Sequence, residues 1–392
     1  MQPLENVLVI DLSIALAGPY CSLMLADYGA EVIKIEMPGR GDDTRAWGPP
    51  FVEGESAYFL SINRNKKSLT LNLKKDEGKK ILLRLIKDAD VLLENFRPGT
   101  LDRLGLGYEI LKKENPRLIY CAISGFGQNG PYKDKPGYDQ ILQGMGGLMS
   151  ITGEVGKPPV KVGVAVTDIA AGMFAAYGIL LALMARSKTD LGQMVDVSML
   201  DCQVAWLTYQ AGRYFASGEI PEKVGSGHPL IVPYQAFRAR DKYINIACGN
   251  DKLYSDFCNA IGRPDLMSDP RFSTNPSRLN NRSELVEILQ SILEKEDASS
   301  WTEKLEKVGV PCGPIYDMKD IFSDPHVLAR DMLQEIEHPK CGRIRQTGVP
   351  IKIEGGKIKT APPILGEHNN EILGALGYSD NDIERLKSEG VI

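Results

Sequence analysis

The sequence predicts an α/β fold, with a large Rossmann-like domain built on a parallel sheet and a smaller α+β domain. Three observations carry this expectation. Across residues 1–130, short apolar stretches alternate with helical stretches, the order expected of βαβ units. The strand stretches show no polar alternation, as in a sheet covered on both faces. The chain has 392 residues, more than one hydrophobic core usually organises.

The elements follow in order. "VLVIDLS" (7–13) reads as a strand, "GPYCSLMLADYG" (18–29) as a helix and "AEVIKIE" (30–36) as a second strand. "SLTLNL" (68–73) and "DVLLENF" (90–96) are further strands, separated by the helical "EGKKILLRLIKDA" (77–89). A helix over 100–113 precedes the strand "LIYCAISGFG" (118–127). After a long apolar helix, "QMVDVSML" (193–200) is another strand, and a long helix is expected over 201–217. "YQAFRARDKYINIACG" (234–249) has the pattern of a hairpin, and helical patterns occupy 251–261, 282–294 and 299–308. These divide the chain into a large domain over 1–200, a linker helix over 201–224, a small domain over 225–324 and a tail over 325–392 that returns to the large domain.

The composition is 43% hydrophobic and 25% charged, with net charge −5. Nucleic-acid binding, which needs a basic face, is not expected. Seven cysteines occur without a CxxC pair, and "MQPLENVLVIDLS" lacks a basic region followed by an apolar one. A reducing, cytoplasmic setting is the expectation. The four histidines, at 228, 326, 338 and 368, show no metal-ligand spacing, so no metal is expected. The apolar run 169–185 is at the short limit for a bilayer span and reads as a buried core helix.

Three stretches invite a chemical reading. The strand–helix–strand start ending at Glu36 looks like a dinucleotide-binding unit. However, "SIALAGPY" has one glycine where GxGxxG needs three, so a nicotinamide cofactor is not expected. "NRNKKSLTLNLKKDEGKK" (63–80) carries seven basic residues against two acidic ones, either a receiver for phosphates or a solvated face. Asp168 is the only charge between Lys161 and Arg186 in "VKVGVAVTDIAAGMFAAYGILLALMAR". An aspartate there either caps the helix, worth about 1 kcal/mol, or serves as an oriented carboxylate nucleophile for an acyl carbon.

Taken together, "VLVIDLSIALAGPY", "LADYGAEVIKIEMPGRGDDTR", "NRNKKSLTLNLK", "DVLLENFRPGTLDRLGLGY", "NPRLIYCAISGFGQNGPY", "GVAVTDIAAG" and "PPILGEH" resemble the class III CoA-transferases, the formyl-CoA transferase/CaiB-like family. "GDDTRAWGPPF" and "HPLIVPYQAF" look most like the succinyl-CoA-dependent dicarboxylate members. The resemblance implies a coenzyme A thioester as substrate, no prosthetic group, and an interlocked homodimer. It implies that Asp168 attacks the thioester and passes through mixed-anhydride and aspartyl-CoA intermediates. It places Ala15, Leu16, Leu71, Lys74, Asn95, Phe96 and Arg103 along CoA. Trp47, Tyr138 and Asp139 are implied near the acyl group, with Arg45 and His228 as partners for a distal carboxylate. The alternative for Arg45 is an ion pair with Asp42 or Asp43, and for His228 simple packing.

Two departures from the family pattern stand out. A four-glycine run of formyl-CoA transferase is replaced by "GSGHP", which argues against formyl-CoA and oxalate as substrates, and Met37 follows Glu36 where the family has a basic residue. Two other readings remain: a 2-methylacyl-CoA racemase on the same fold, and a catalytically silent CoA-binding protein.

Overall fold

A computed structural model describes residues 2–392. The chain divides into two compact units. The first comprises the residues through Leu148, then Lys161–Gly212 and Pro325–Ile392; the second comprises Met149–Val160 and Arg213–Asp324.

The first unit is organised by a six-stranded sheet. Its strands are β1 (Leu8–Asp11), β2 (Glu31–Glu36), β5 (Lys66–Thr70), β6 (Val91–Glu94), β7 (Ile119–Ser124) and β8 (Met194–Ser198). A two-stranded hairpin, β3 (Phe51–Val52) and β4 (Glu55–Ser56), lies outside it. The order is β5-β2-β1-β6-β7-β8, and every pairing is parallel. The chain winds outward from β1 in one direction and then from β6 in the other, so a topological switch point lies between these two neighbours. Such a point opens a crevice beyond the carboxyl ends of the strands.

Both sheet faces are covered. On one, Ile10, Ile33, Leu69, Leu92 and Tyr120 pack with Ile81 and Leu85 of a helix over Asp76–Asp88. The same core takes Ile372, Leu373, Ile383 and Leu386 from the C-terminal helices Asn369–Ala375 and Asp380–Ser388. Tail and sheet also share backbone bonds, Asn72 N–H to the Val391 carbonyl at 2.7 Å and His368 N–H to that of Ser68 at 3.0 Å. On the other face, Val9, Val32, Val91 and Cys121 pack with the helices Ala17–Asp27 and Val166–Thr189. The second of these is the long apolar helix. Its small face (Ala170, Ala171, Gly172, Ala175, Ala176) is buried, and a Cβ at Gly172 would lie 2.6 Å from the Ala17 carbonyl oxygen. This stripe of small side chains lets the two helices approach closely.

Two expected helices are interrupted. The one expected over 100–113 splits into Thr100–Arg103 and Tyr108–Glu114, because Gly105 takes a left-handed φ of +75°. The one expected over 201–217 splits into Met199–Ala205 and Thr208–Ser217, with Thr208 at φ +39°.

The second unit holds a three-stranded antiparallel sheet of β9 (Tyr234–Arg238), β10 (Tyr243–Ala247) and β11 (Cys312–Pro314). The alternating Ile244 and Ile246 face Phe237, Phe257, Leu289 and Trp301. The helices Asp251–Ala260, Arg282–Leu293 and Ala298–Lys307 match the three helical patterns of the sequence.

Candidate active site

At the switch point the structure opens a cleft of about 320 Å³. Its wall is assembled from the segments that follow three neighbouring strands: Ile14 and Ala15 after β1, Asn95 to Pro98 after β6, and Gly125 after β7. Tyr138 and Asp168 complete it. A second cavity of about 210 Å³ shares Ile14, Phe96 and Thr100 with the first and continues over β2 and β5, lined by Glu36, Met37, Leu71 and Lys74.

Asp168 stands in the first turn of the helix Val166–Thr189 and makes no capping bond; the N-cap residue is Ala165. The expectation of Asp168 as a helix cap is therefore corrected. The capping role falls to Asp139, whose Oδ1 accepts the Thr167 N–H at 2.9 Å. Gln143 in turn donates to Asp139 Oδ2 at 2.7 Å and accepts the Val162 N–H at 2.9 Å. The Thr167 hydroxyl donates to buried Gln203 at 2.9 Å. This network fixes the backbone around Asp168 while leaving its carboxylate free for the cleft. Burial, with a further contribution from the Asp139 charge, pushes the Asp168 carboxyl up to about 7. Such a group is divided between acid and carboxylate near neutral pH.

Tyr138 is brought to the cleft by a close backbone crossing. A Cβ on Gly137 would sit 2.7 Å from the Gly125 Cα, and the reverse substitution is equally crowded at 2.8 Å. Both "SGFG" and "PGYD" thus need glycine at the crossing. Asn95 holds the opposite wall, accepting the Ile14 N–H at 2.8 Å and donating to the Ile14 carbonyl at 2.7 Å.

Of the residues expected along CoA, Ala15, Asn95 and Phe96 line the Asp168 cleft, and Leu71 and Lys74 line the adjoining cavity with Phe96. Leu16 and Arg103 line neither, although Arg103 donates to the Thr100 hydroxyl at 3.1 Å. Trp47 meets Tyr58 edge-on at 5.1 Å. Burial and then the charge of Asp168 push the Tyr58 phenol up to about 12, which ties this aromatic pair to the surroundings of Asp168. Tyr58 was not singled out from the sequence, where "GESAYFL" offers no chemical signal. Nor were Arg97 and Lys135, two cations on the cleft wall.

Arg45 has a different neighbour from any expected. Its Nε and Nη2 donate to the two Glu36 oxygens at 2.7 and 2.8 Å, its Nη2 reaches the Pro363 carbonyl, and its guanidinium lies over the Phe59 ring. Asp43 pairs with Arg40 instead, and Asp42 with Lys34. His228 belongs to the second unit; its ring stacks on Tyr234 and its Nδ1 accepts the Leu230 N–H at 3.1 Å.

The basic stretch 63–80 is largely consumed by the fold. Arg64, just ahead of β5, and Lys66, its first residue, are both buried; Arg64 pairs with Asp27 at 2.7 Å and Lys66 approaches Asp11 at 3.6 Å. Lys67 pairs with Glu31 and Glu371, and Lys79 and Lys80 with Asp76 and Glu77. Among these lysines and Arg64, Lys74 alone lines the cavity that adjoins the Asp168 cleft.

Comparison with known proteins follows the same lines. The mouse succinyl-CoA:glutarate CoA-transferase is 44% identical over 100% of this chain and 91% of its own. The acetyl-CoA:oxalate CoA-transferase of Acetobacter aceti is 44% identical over 90% of each. A CaiB/BaiF family protein from Brucella suis superimposes with a TM-score of 0.86 at 42% identity, covering 96% of this chain and 99% of that one. The sequence profile of CoA-transferase family III matches residues 4–369, and with that match over nearly the whole chain the protein is a member of CoA-transferase family III, an enzyme that transfers coenzyme A.

Proposed function

We propose that the enzyme moves CoA between a donor acyl group and a free dicarboxylic acid, with Asp168 as the covalent nucleophile. The observation that carries this is the Asp168 carboxylate itself, which faces the cleft at the switch point with no hydrogen-bond or ion-pair partner among the described residues. An Asp168 oxygen attacks the thioester carbonyl; the C–S bond breaks and CoA leaves as thiolate, giving an acyl-aspartyl anhydride. The thiolate then attacks the Asp168 carboxyl carbon, expels the donor acid as carboxylate and leaves an aspartyl-CoA thioester. The acceptor carboxylate attacks that thioester, and the released thiolate takes the acceptor's acyl carbon from the second anhydride. Asp168 returns as carboxylate. No step consumes water, so an apolar surround protects each intermediate from hydrolysis.

Succinyl-CoA and glutarate are the first pair to test, by likeness to the mouse enzyme. An equally identical relative is named for acetyl-CoA and oxalate, so overall similarity does not separate these acceptors. Arg97 and Lys135 on the cleft wall suit anionic ligands. The decisive experiment incubates the enzyme with succinyl-CoA alone and maps the adduct by mass spectrometry. An adduct on Asp168 and a loss of about 10³-fold or more in Asp168→Asn support the proposal. Near-normal turnover by Asp168→Asn overturns it.

We further infer a homodimer, interlocked as in the family. The support is an exposed apolar strip on the helix Val166–Thr189, formed by Met173, Phe174, Tyr177, Leu181 and Met184. This helix is long and apolar enough to cross a membrane by length and composition, but its small face is already committed to the core. A second copy is the proposed cover for the other face. Light scattering that gives a single-chain mass would overturn it.

A further inference from the structure

Ser13, Ile14 and Ala15 join β1 to the first helix, and each gives its backbone N–H to a side chain from elsewhere in the structure or just behind. The acceptors are Asp11 at 2.9 Å, Asn95 at 2.8 Å and Asp42 at 3.2 Å. The carbonyls of Ser13 and Ile14 are taken by Lys34 Nζ and Asn95 Nδ2, both at 2.7 Å. Ala15 sits at φ +63°, a left-handed conformation that glycine adopts freely and alanine resists. It therefore needs an external hold, and it lies directly on the Asp168 cleft.

That hold is buried and charged. Lys34 is wholly buried and Asp42 nearly so, and they pair at 2.9 Å. Asp42 Oδ1 also accepts the N–H and hydroxyl of Thr44 at 2.9 and 2.8 Å, capping the turn Asp43–Ala46 that leads into Trp47. One carboxylate thus ties the Ala15 loop to the segment that presents Trp47. Burial opposes both charges, but each partner overcomes it: Asp42 is held below the ordinary carboxylate range and Lys34 above the ordinary lysine range. A buried ion pair adds little net stability over an apolar pair of the same shape, so stability alone gives no reason for charge at this place.

We propose that Asp42 and Lys34 are positioning residues for acyl transfer, which hold the Ala15 loop in its left-handed turn through the Ala15 N–H and the Ser13 carbonyl. The inference rests on the Asp168 cleft being the acyl-CoA site. Both side chains also reach the wall of the adjoining cavity, so their effect should fall first on CoA affinity.

The test compares wild type, Asp42→Asn and the double variant Lys34→Met with Asp42→Asn, each with and without Ala15→Gly. The double variant removes the lysine charge that the single one strands, and so covers the case in which Asp42→Asn fails to fold. CoA affinity is read by titration calorimetry, which needs no turnover, alongside kcat and KM for succinyl-CoA. The expected result is a rise of about tenfold in Kd and KM, a smaller fall in kcat, and recovery of at least about threefold on adding Ala15→Gly, since glycine needs no hold to take this φ. Variants that melt earlier yet bind CoA as wild type does overturn the proposal. A loss that Ala15→Gly does not recover also overturns it. Because the calorimetric arm is independent of chemistry, failure of Asp168 as nucleophile would show only in the adduct experiment.

Discussion

Asp139 accepts the backbone N–H of Thr167 at 2.9 Å, one residue ahead of Asp168. A carboxylate from a different segment therefore caps the long helix, and the neighbouring aspartate is left with an unencumbered carboxyl. The same arrangement sets two negative groups near one another, which contributes to raising the Asp168 carboxyl to about 7, after burial.

The first prediction concerns pH. The proposed attack on a thioester requires ionised Asp168, so kcat/KM should rise with pH through about 7 and level off above it. Asp139→Asn keeps an acceptor for the Thr167 N–H but removes the like charge. Its acid limb should move to lower pH. Rates measured from pH 5 to 9 in constant ionic strength check both; an unmoved limb would show that burial alone sets the value.

The second prediction is that the ionised Asp168 carboxylate costs stability. Its folded value lies above the ordinary 3.8, so its contribution is fully present below about 4 and is lost as pH rises through about 7. Asp168→Asn should therefore melt above wild type at pH 8, by an amount equivalent to roughly 1–3 kcal/mol after allowing for partial exposure. At pH 4 the two should converge. Calorimetric melting at the two pH values reads the difference directly, and equal gaps at both would contradict the linkage.

The third concerns Arg45. Its Nε and Nη2 are committed to Glu36 and its Nη1 lies 3.6 Å from Glu55, so its substitution should strike the fold before it strikes specificity. Arg45→Met leaves Glu36 buried beside one remaining cation, a change of about 3–5 kcal/mol by analogy with other broken buried pairs. Arg45→Lys should lose part of that, because an ammonium cannot make the bidentate contact. In Arg45→Lys the ratio of turnover with succinate to that with butyrate should match wild type. A collapse of that ratio would return Arg45 to the role of substrate contact.

Much of this architecture was legible in the sequence because strand and helix signals are local. "VLVIDLS", "AEVIKIE" and "LIYCAISGFG" announced buried parallel strands, and all lie in the sheet. What was not legible depends on pairing across the fold. Arg45 and Glu36 are nine residues apart, but their contact needs the turn after β2, whereas Asp42 and Asp43 are the acids nearest to Arg45 in the sequence. Lys66 reads as surface charge in "NRNKKSL", yet strand periodicity carries it inward toward Asp11. The cap of the long helix is 28 residues from Thr167 in sequence, and Asp168 occupied the place where a local cap was expected.

The last prediction separates transferase from racemase, since Asp168 belongs to both readings. Racemisation of a 2-methylacyl-CoA needs one group to remove the α-proton and another to return it on the opposite face. Tyr138 is exposed and lines the same cleft as Asp168, so it is the side chain to test as a second proton carrier. A neutral phenol is better suited to giving a proton or a hydrogen bond than to removing a proton from carbon. Asp139 is no substitute, because its two oxygens are already engaged by Thr167 and Gln143. Of the two aspartates, Asp168 alone keeps an unengaged carboxylate to act as a base, and the return of a proton on the opposite face would fall to Tyr138 or Lys135. A 2-methylacyl-CoA incubated in D₂O without any acceptor acid should gain no deuterium at its α-carbon, whereas adding an acceptor acid to succinyl-CoA should move CoA to it. Tyr138→Phe should leave the exchange experiment blank and reduce transfer only modestly, by about tenfold or less for the loss of one hydrogen bond to the thioester. Deuterium uptake that depends on Asp168 and is lost in Tyr138→Phe would make Tyr138 the second proton carrier and the enzyme a racemase.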